Sequence, residues 1–479
     1  MSPTTSTPPT PTAASKGGRT GRSLRLLGDA LRGRGDPTRG PLVPAILLLA
    51  IPMVLEMVME SVFAVVDVFF VARLGADALT AVGLTESLMA IIYTGAMGLS
   101  IGVTATVARR IGEGNRDAAS EAAAQGALLG AALAAVLGIL GAWQAPALLR
   151  LMGATDSVVT VGVGYARILL GFNVVIFLLF LLNAAFRGAG DAAIAMRVLW
   201  LANGLNLILD PLLIFGIGPF PELGVTGAAV ATTLGRGTAV LVQLYTLFRL
   251  SDRLRVTREY LRVRLDLMGR LVRLSGTGTV QVFVSMASWI GLVRVIASFG
   301  SEAVAGYTVA IRLVLFALLP AWGLGNAAAT MVGQNLGAGD PERAARAVWK
   351  AGQMNLVFLG SVGLLFVVAA GPLVALFDVD PVTAGHAEYG LRIIAAGFPF
   401  YAFGMVLTQA FNGAGDAWTP TWINLGCFWC WEIPLAWALA FPAGMGPNGV
   451  FAAMAVAFST LAVVSAALFK RGRWARAEV

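Results

Sequence analysis

The chain repeats itself at a fixed offset along the sequence, and this constrains its fold more than any other feature. The segment 186–192 (FRGAGDA) returns as 411–417 (FNGAGDA), and 112–114 (GEG) returns as 337–339 (GAG), so both matches have the same offset. No gap is needed between about residue 75 and residue 192. Such self-similarity is typical of a chain built from equivalent structural units. We therefore predict two lobes that share one frame.

The lobes are predicted to be bundles of transmembrane helices. Hydrophobic residues make up 57% of the chain and charged residues 13%, against roughly 45–50% and 25% in soluble domains. Apolar runs of about 20 residues, long enough to cross a bilayer, recur throughout, whereas a β-barrel would need short alternating segments. We predict an all-α polytopic protein with twelve spans, at about 43–72, 78–106, 118–148, 158–186, 193–217, 223–248, 268–297, 303–332, 343–372, 384–411, 418–441 and 448–469.

Six spans in each half mean that both halves enter the membrane in the same direction. The lobes should then be parallel repeats, an arrangement found in transporters that bind substrate between or within two lobes. We predict five regions: a disordered basic cytosolic tail (1–41), an N-lobe (42–250), a cytosolic linker (251–265), a C-lobe (266–470) and a C-terminal cytosolic tail (471–479).

The net charge of +8 reflects topology rather than nucleic-acid binding. Lys and Arg cluster in the tails and in alternate loops, as the positive-inside rule requires. We expect a multi-pass protein of the plasma (inner) membrane with both termini in the cytosol. Its partners should be lipid and small molecules, with no nucleic acid, and the protein is expected to be a monomer.

Histidine and cysteine offer no catalytic or metal-binding cluster. The sequence contains one histidine, His386, and two cysteines, Cys427 and Cys430. The CxxC spacing lies in an apolar span without a second Cys or His pair, so a zinc site is not expected. We predict no cofactor and no enzymatic activity.

The first span contains three carboxylates that do not belong in lipid. Glu56, Glu60 and Asp67 lie within about 40° of one another on a helix. Intramembrane carboxylates mark functional sites by default, so this stripe should face a cavity or paired cations. Pro52, one turn earlier, removes a backbone hydrogen bond and can act as a hinge.

A second polar stripe occurs in the fifth span. Asn203, Asn206 and Asp210 share one helix face, and Pro211 cannot donate to the carbonyl of Leu207. Carboxylate, amide and carbonyl oxygens are hard ligands that suit Na⁺, or a proton when the carboxyl is neutral. Asp67, Asn206 and Asp210 are thus a candidate Na⁺ site, with Pro211 a second hinge. The structural alternative is a capped helix end at Asp210-Pro211.

The C-lobe shares the pattern of spans of the N-lobe but has different polar residues in them. Gln281, Ser285 and Leu292 stand at the repeat positions of the three carboxylates of span 1. We therefore expect ion coupling in the N-lobe. The predicted substrate cavity consists of Glu56, Glu60, Asn203, Gln281 and Glu432.

Glu432, in the eleventh span, is the acidic residue that the C-lobe retains near the repeat position of Asp210. Two roles are open for it. It could take part in transport, or it could form a structural ion pair with Arg294 or Arg312 in or near spans 7 and 8.

These motifs resemble those of the multidrug and toxic compound extrusion (MATE) family over about residues 42–470. The residues that carry the resemblance are 50–52 (AIP), Asp67, 73–75 (RLG), 112–115 (GEGN), 187–191 (RGAGD), 206–211 (NLILDP), 224–232 (GVTGAAVAT) and the C-lobe echoes. The resemblance implies an antiporter that exports cationic or amphipathic drugs, toxins or metabolites against Na⁺ or H⁺.

In the DinF-like branch of that family, the cation site maps to Asp67, Asn206, Asp210 and Thr232, and the bent first helix maps to Pro52. The NorM-like branch has acidic groups in spans 7 and 10, whereas here those two spans are expected to carry none within the membrane. The resemblance therefore implies the DinF-like branch. The choice between Na⁺ and H⁺ stays open.

Three alternatives are weaker. A flippase for lipid-linked precursors of the same superfamily usually has fourteen spans and a more cationic cavity. A major-facilitator transporter has a different loop after its second span from 109–115 (RRIGEGN). A membrane-embedded enzyme would need a catalytic cluster that the sequence does not offer.

Overall fold

The computed structural model describes residues 19–33 and 36–477, apart from the side chains at 19–24, 64–68 and 72. Over these ranges the chain is helical and contains no β-strand. Ten helices are long and apolar enough to cross a membrane, and two bent helix pairs bring the number to twelve. The predicted all-α polytopic fold is confirmed.

Each lobe is a bundle that begins with one long helix. The N-lobe contains α2 (Leu42–Val71), α3 (Ala76–Gly112), α4 (Arg116–Leu151), α5 (Asp156–Gly171), α6 (Asn173–Gly188), α7 (Ala192–Ile214) and α8 (Val225–Tyr245). The C-lobe contains α9 (Leu265–Ile296), α10 (Ser301–Gly337), α11 (Pro341–Ala375), α12 (Pro381–Ala396), α13 (Phe398–Ala414), α14 (Trp418–Asn424), a π-helical segment (Leu425–Glu432), α15 (Ile433–Ala440) and α16 (Pro447–Lys470).

The sequence repeat is also a repeat of helix boundaries. The helices α3 and α10, α4 and α11, and α5 and α12 begin at positions that the repeat makes equivalent. Both lobes break their fourth span at equivalent residues, Phe172 and Gly397, with bends of 42° and 58°. The chain is therefore a structural duplication.

The tail differs from its prediction. Arg19–Arg32, within the segment expected to be disordered, forms a helix, α1, that packs on α2 and α7. The packing explains the order: Ala30 is fully buried and Leu31 is partly buried. Apolar residues at helical spacing between arginines make an amphipathic stripe. Residues 1–18 of the predicted tail lie outside the described ranges.

The first helix of each lobe packs on the second helix of the other lobe, α2 on α10 and α9 on α3. Repeated glycines permit both crossings. A Cβ atom at Gly98 of α3 would collide with the backbone of Thr279 in α9. A Cβ atom at Gly323 of α10 would lie 2.7 Å from the backbone nitrogen of Val54 in α2. The two glycines keep these crossings close in both lobes.

Gly323→Ala should lower the thermal unfolding midpoint of the detergent-solubilised protein. The added methyl group overpacks a backbone contact, which typically costs about 1–3 kcal/mol. Gly360→Ala is the matched control, because nothing lies within 4 Å of a Cβ at that helical position. It should leave stability unchanged or raise it by about 1 kcal/mol. Equal midpoints for both variants would contradict the close-packed crossing.

The lobes also meet at the basic face, defined here as the side with the loops after α3, α6, α10 and α13, the linker and both described chain ends. Gly112 and Gly337, the repeated helix-end glycines, pack against each other's helices there. Gly114 and Gly339 have φ of +77°, as expected for left-handed C-caps. These loops are turns, and they also form the contact between the lobes.

Polar bonds hold the basic face closed. Thr330 and Gln334 of α10 donate to the carbonyl oxygens of Arg187 (3.1 Å) and Gly188 (2.8 Å) at the end of α6. Arg109 of α3 donates to the carbonyl oxygen of Ala477 at 2.8 Å. The N-lobe and C-lobe are therefore tied together on this side.

Candidate functional site

Helices α7 and α8 of the N-lobe pack against each other and build the predicted Asn206–Asp210–Thr232 cluster. Gly235 of α8 allows the close approach, because a Cβ there would lie 2.7 Å from the carbonyl oxygen of Ala202 in α7. The amide nitrogen of Asn206 lies 2.7 Å from Oδ2 of Asp210, and its amide oxygen accepts from Oγ1 of Thr232 at 3.1 Å. This amide orientation satisfies both partners.

The Asn206 and Asp210 side chains of the cluster are buried, and Thr232 is partly buried. Asp210 is 0% exposed and Asn206 is 2% exposed. Helix α7 continues through Pro211 to Ile214, and the amide of Phe215 donates to the carbonyl oxygen of Pro211 at 3.3 Å. The alternative of a helix end at Asp210-Pro211 was therefore wrong. A carboxylate, an amide and a hydroxyl meet inside a continuous helix pair, as a small-cation or proton site requires.

Asp67, the fourth member of the predicted site, lies on α2, a single helix from Leu42 to Val71 that also passes through the buried Pro52. The side chain of Asp67 lies outside the described residues. Its participation in the site stays a prediction. The hinge roles of Pro52 and Pro211 also stay predictions.

Glu60 belongs to a second polar group beside α2. Its Oε1 lies 3.5 Å from Nη2 of Arg236 on α8, and its Oε2 accepts from Asn203 of α7 at 3.4 Å. Arg236 also donates to the hydroxyl of Tyr93 at 3.0 Å and lies over the ring of Phe63. Glu60 remains 33% exposed, so it can still meet a cation from outside the protein.

Glu56 is held deeper in the lobe. It is 1% exposed, and its Oε1 accepts from Arg187 at 2.8 Å and from Asn183 at 3.3 Å. Gln243 of α8 donates to Asn183. Glu56 is therefore paired with the guanidinium group of Arg187 in the interior of the lobe. A role in the substrate cavity stays a prediction for Glu56, as it does for Glu60 and Asn203.

Sequence reasoning missed both guanidinium partners. Arg187 follows the predicted span 158–186, but it lies inside α6, in the last turn of that helix. Arg236 lies in the middle of α8, within the predicted sixth span, and is 7% exposed. A cation inside a span is as informative as a carboxylate, so Arg236 could have been found from the sequence.

The C-lobe replaces the Glu56–Arg187 pair with two amides. In the sequence repeat, Gln281 stands for Glu56 and Asn412 stands for Arg187. Gln281 and Asn412 are both buried, and Asn412 donates to Gln409 at 2.8 Å. The C-lobe thus lacks both the carboxylate and the guanidinium of the pair, so neither charge is left buried without its partner. The role of Gln281 in substrate binding stays a prediction.

Glu432 does not form the structural ion pair that was one alternative for it. It is 2% exposed, and no ion pair involves it among the described residues. The side chains of Arg294 and Arg312 are exposed. Cys427 and Cys430 are free thiols. Where side chains are described, no three His, Cys, Asp or Glu residues are grouped to hold a metal ion.

Known proteins match nearly the whole chain. The MatE family profile matches residues 52–212 and 278–438, one match in each lobe. A probable multidrug resistance protein NorM of Thermotoga maritima is 25% identical over 91% of this chain and 93% of its own length. A FAD transporter of Shewanella oneidensis is 27% identical over 83% of this chain and 88% of its own length.

A solved structure has the same fold. It is described as the outward-facing conformation of a multidrug resistance MATE family transporter of the MOP superfamily. The TM-score is 0.85 at 27% identity, covering 93% of this chain and 97% of that one.

Proposed function

This chain belongs to the MatE family of multidrug efflux transporters, and from that membership we propose a secondary active antiporter that exports cationic and amphipathic compounds in exchange for Na⁺ or H⁺. The buried Asn206–Asp210–Thr232 cluster carries the proposal. A carboxylate that is 0% exposed inside a membrane bundle is expensive unless a cation or a proton neutralises it at some stage of a cycle. In our proposal the coupling ion does so.

The coupling follows from alternating access. Ion binding at Asp210, together with Asp67, would favour one arrangement of α2, and substrate binding would favour the other. α2 is suited to this role because it contacts both lobes: it packs on α7 and α10. Pro52 lies beside the crossing at Gly323, so a bend there would alter the contact between the lobes.

The partly exposed Glu60 is the proposed first contact for a cationic substrate. Its carboxylate is already matched by Arg236 at 3.5 Å, so a substrate cation would compete with that guanidinium. This competition predicts selectivity for cations that also bring apolar surface. The FAD transporter among the relatives makes an anionic flavin dinucleotide the contrasting substrate to assay.

Orientation and assembly are part of the proposal. The basic face would lie in the cytosol of the plasma membrane, with both termini, as the positive-inside rule implies. The closed basic face then corresponds to a state shut toward the cytosol. A monomer suffices, because both lobes come from one chain. The proposed DinF-like character of the cation site rests on the motifs of spans 1 and 5.

The test is transport in proteoliposomes with Na⁺ and pH gradients imposed separately. Ethidium is a suitable cationic aromatic probe, and FAD is the anionic comparison. We expect one ion gradient to drive ethidium against its own gradient while the other has little effect. Ethidium movement that neither gradient accelerates would contradict an antiporter.

A further inference from the structure

The C-lobe contains a buried carboxyl group that the proposed N-lobe mechanism does not use. Glu432 ends the π-helical segment Leu425–Glu432, just before Pro434. It is 2% exposed. No ion pair and no hydrogen bond to its side chain occur among the described residues. A carboxylate that is buried without a paired cation is strongly disfavoured relative to the neutral acid.

Its neighbourhood consists of weakly acidic hydroxyl and thiol groups. Tyr307 of α10 and Tyr401 of α13 lie in the same apolar cluster as Ile433, which follows Glu432, and Cys427 is buried within the segment itself. Tyr307 is 3% exposed, and its hydroxyl has no hydrogen-bond partner. The core around the segment therefore contains a second buried polar group without a hydrogen-bond partner.

The other elements packed around the segment bring no compensating cation. Helix α16 has no charged residue before Lys470 at its basic-face end. Helix α9 contributes Arg294 on its exposed side. In α12, Glu388 and Arg392 pair with each other at 3.4 Å. The guanidinium groups that neutralise Glu56 and Glu60 in the N-lobe have no counterpart here.

The position of Glu432 within the repeat is informative. It is equivalent to Leu207, the neighbour of Asn206 in the N-lobe cluster. The counterparts of Asp67 and Asp210 are Leu292 and Leu435. The C-lobe therefore carries an acidic group close in sequence to the equivalent of the N-lobe site, at a position where the N-lobe has none, and it lacks the acidic groups of the N-lobe site itself.

The backbone at this location is unusual. Helix α7 is regular over the equivalent residues, whereas Leu425–Glu432 is π-helical. π-Helical turns are rare and are frequently found at functional sites. Pro434, which follows closely, also withholds a backbone donor.

We propose that Glu432 is a proton-binding site of the C-lobe, separate from the Asp210 cluster. A hard metal cation takes about six oxygen ligands, which one carboxyl and two phenols do not supply, whereas a proton needs only the carboxyl. The carboxylic acid would be the form present in the state seen here, and water reaching the C-lobe in the opposite state would accept the proton. Its use in transport rests on the proposed antiport, but proton binding itself does not.

Infrared titration of the purified protein in lipid tests this directly and needs no substrate. The wild type should show protonated-carboxyl absorption with a component that fades as the pH rises, and this component should be missing from Glu432→Gln. Glu388→Gln, which alters the exposed pair with Arg392, is the control and should retain the band. Identical bands in the wild type and Glu432→Gln at every pH would overturn the proposal.

A second measurement uses the wild type alone and so applies even if the Glu432→Gln protein fails to fold. A hydrophobic carbodiimide, which reacts with protonated carboxyls in apolar surroundings, should label Glu432 of the wild type, as mapped by mass spectrometry. Labelling should decline as the pH rises. An unlabelled Glu432 would overturn the proposal even if ion-driven export through Asp210 is intact, and labelling without any ion-driven export would contradict only the antiport.

Discussion

Glu56→Gln should destabilise the folded transporter by about 3–5 kcal/mol, because it leaves a buried guanidinium without its carboxylate. Glu56 and Arg187 form a 2.8 Å pair at 1% and 13% side-chain exposure. Arg187→Asn should cost a similar amount, since it leaves Glu56 unpaired. The measurement is the midpoint temperature of thermal unfolding in detergent. A destabilisation of this size should lower that midpoint by many degrees.

The double variant Glu56→Gln/Arg187→Asn should recover most of that loss. It installs in the N-lobe the two amides that the C-lobe uses at Gln281 and Asn412. Replacing both members of a buried pair is far milder than removing one. Glu388→Gln is the matched control, because its pair with Arg392 is exposed and contributes only about 0–1 kcal/mol. Additive losses in the double variant would show that the two residues act independently.

Asp210→Asn should abolish ion-driven export and leave substrate exchange intact. The change keeps the size of the side chain and its contact with Asn206 but removes the charge that the coupling ion neutralises. We expect ion-driven ethidium uptake into inverted vesicles to fall to the level measured without an ion gradient. Asp67→Asn should behave alike.

The control for this prediction is Asp156→Asn, at a side chain that is 90% exposed outside the bundle. It should transport as the wild type does. Normal ion-driven uptake by both Asp210→Asn and Asp67→Asn would contradict the assignment of the coupling site. It would not contradict the fold or the family.

The arrangement of spans in this protein could be predicted from its sequence, because hydrophobic run length and helical periodicity are properties of a single helix. Apolar runs of bilayer length predicted the twelve spans, and the fixed offset of the repeat predicted that the two lobes share one frame. The stripe of Asn203, Asn206 and Asp210 follows from helical periodicity alone. Thr232, on another helix, came from resemblance to a family.

The partners of the carboxylates could not be predicted, because pairing depends on how helices pack. The stripe of Glu56 and Glu60 was expected to face a cavity or cations, and two different helices supply the guanidinium groups, α6 for Glu56 and α8 for Glu60. Helix α1 was missed for a related reason. Its arginine-rich sequence resembles a disordered tail until α2 and α7 bury Ala30.

The most direct test of the assigned coupling site is the reciprocal effect of the ion on substrate binding. If ion and substrate favour opposite states, each weakens the other by the same factor. The Kd for ethidium should rise at least about fivefold when the coupling ion saturates the wild type, and Asp210→Asn should lose most of this dependence. A Kd that changes as steeply in Asp210→Asn as in the wild type would contradict coupling at Asp210.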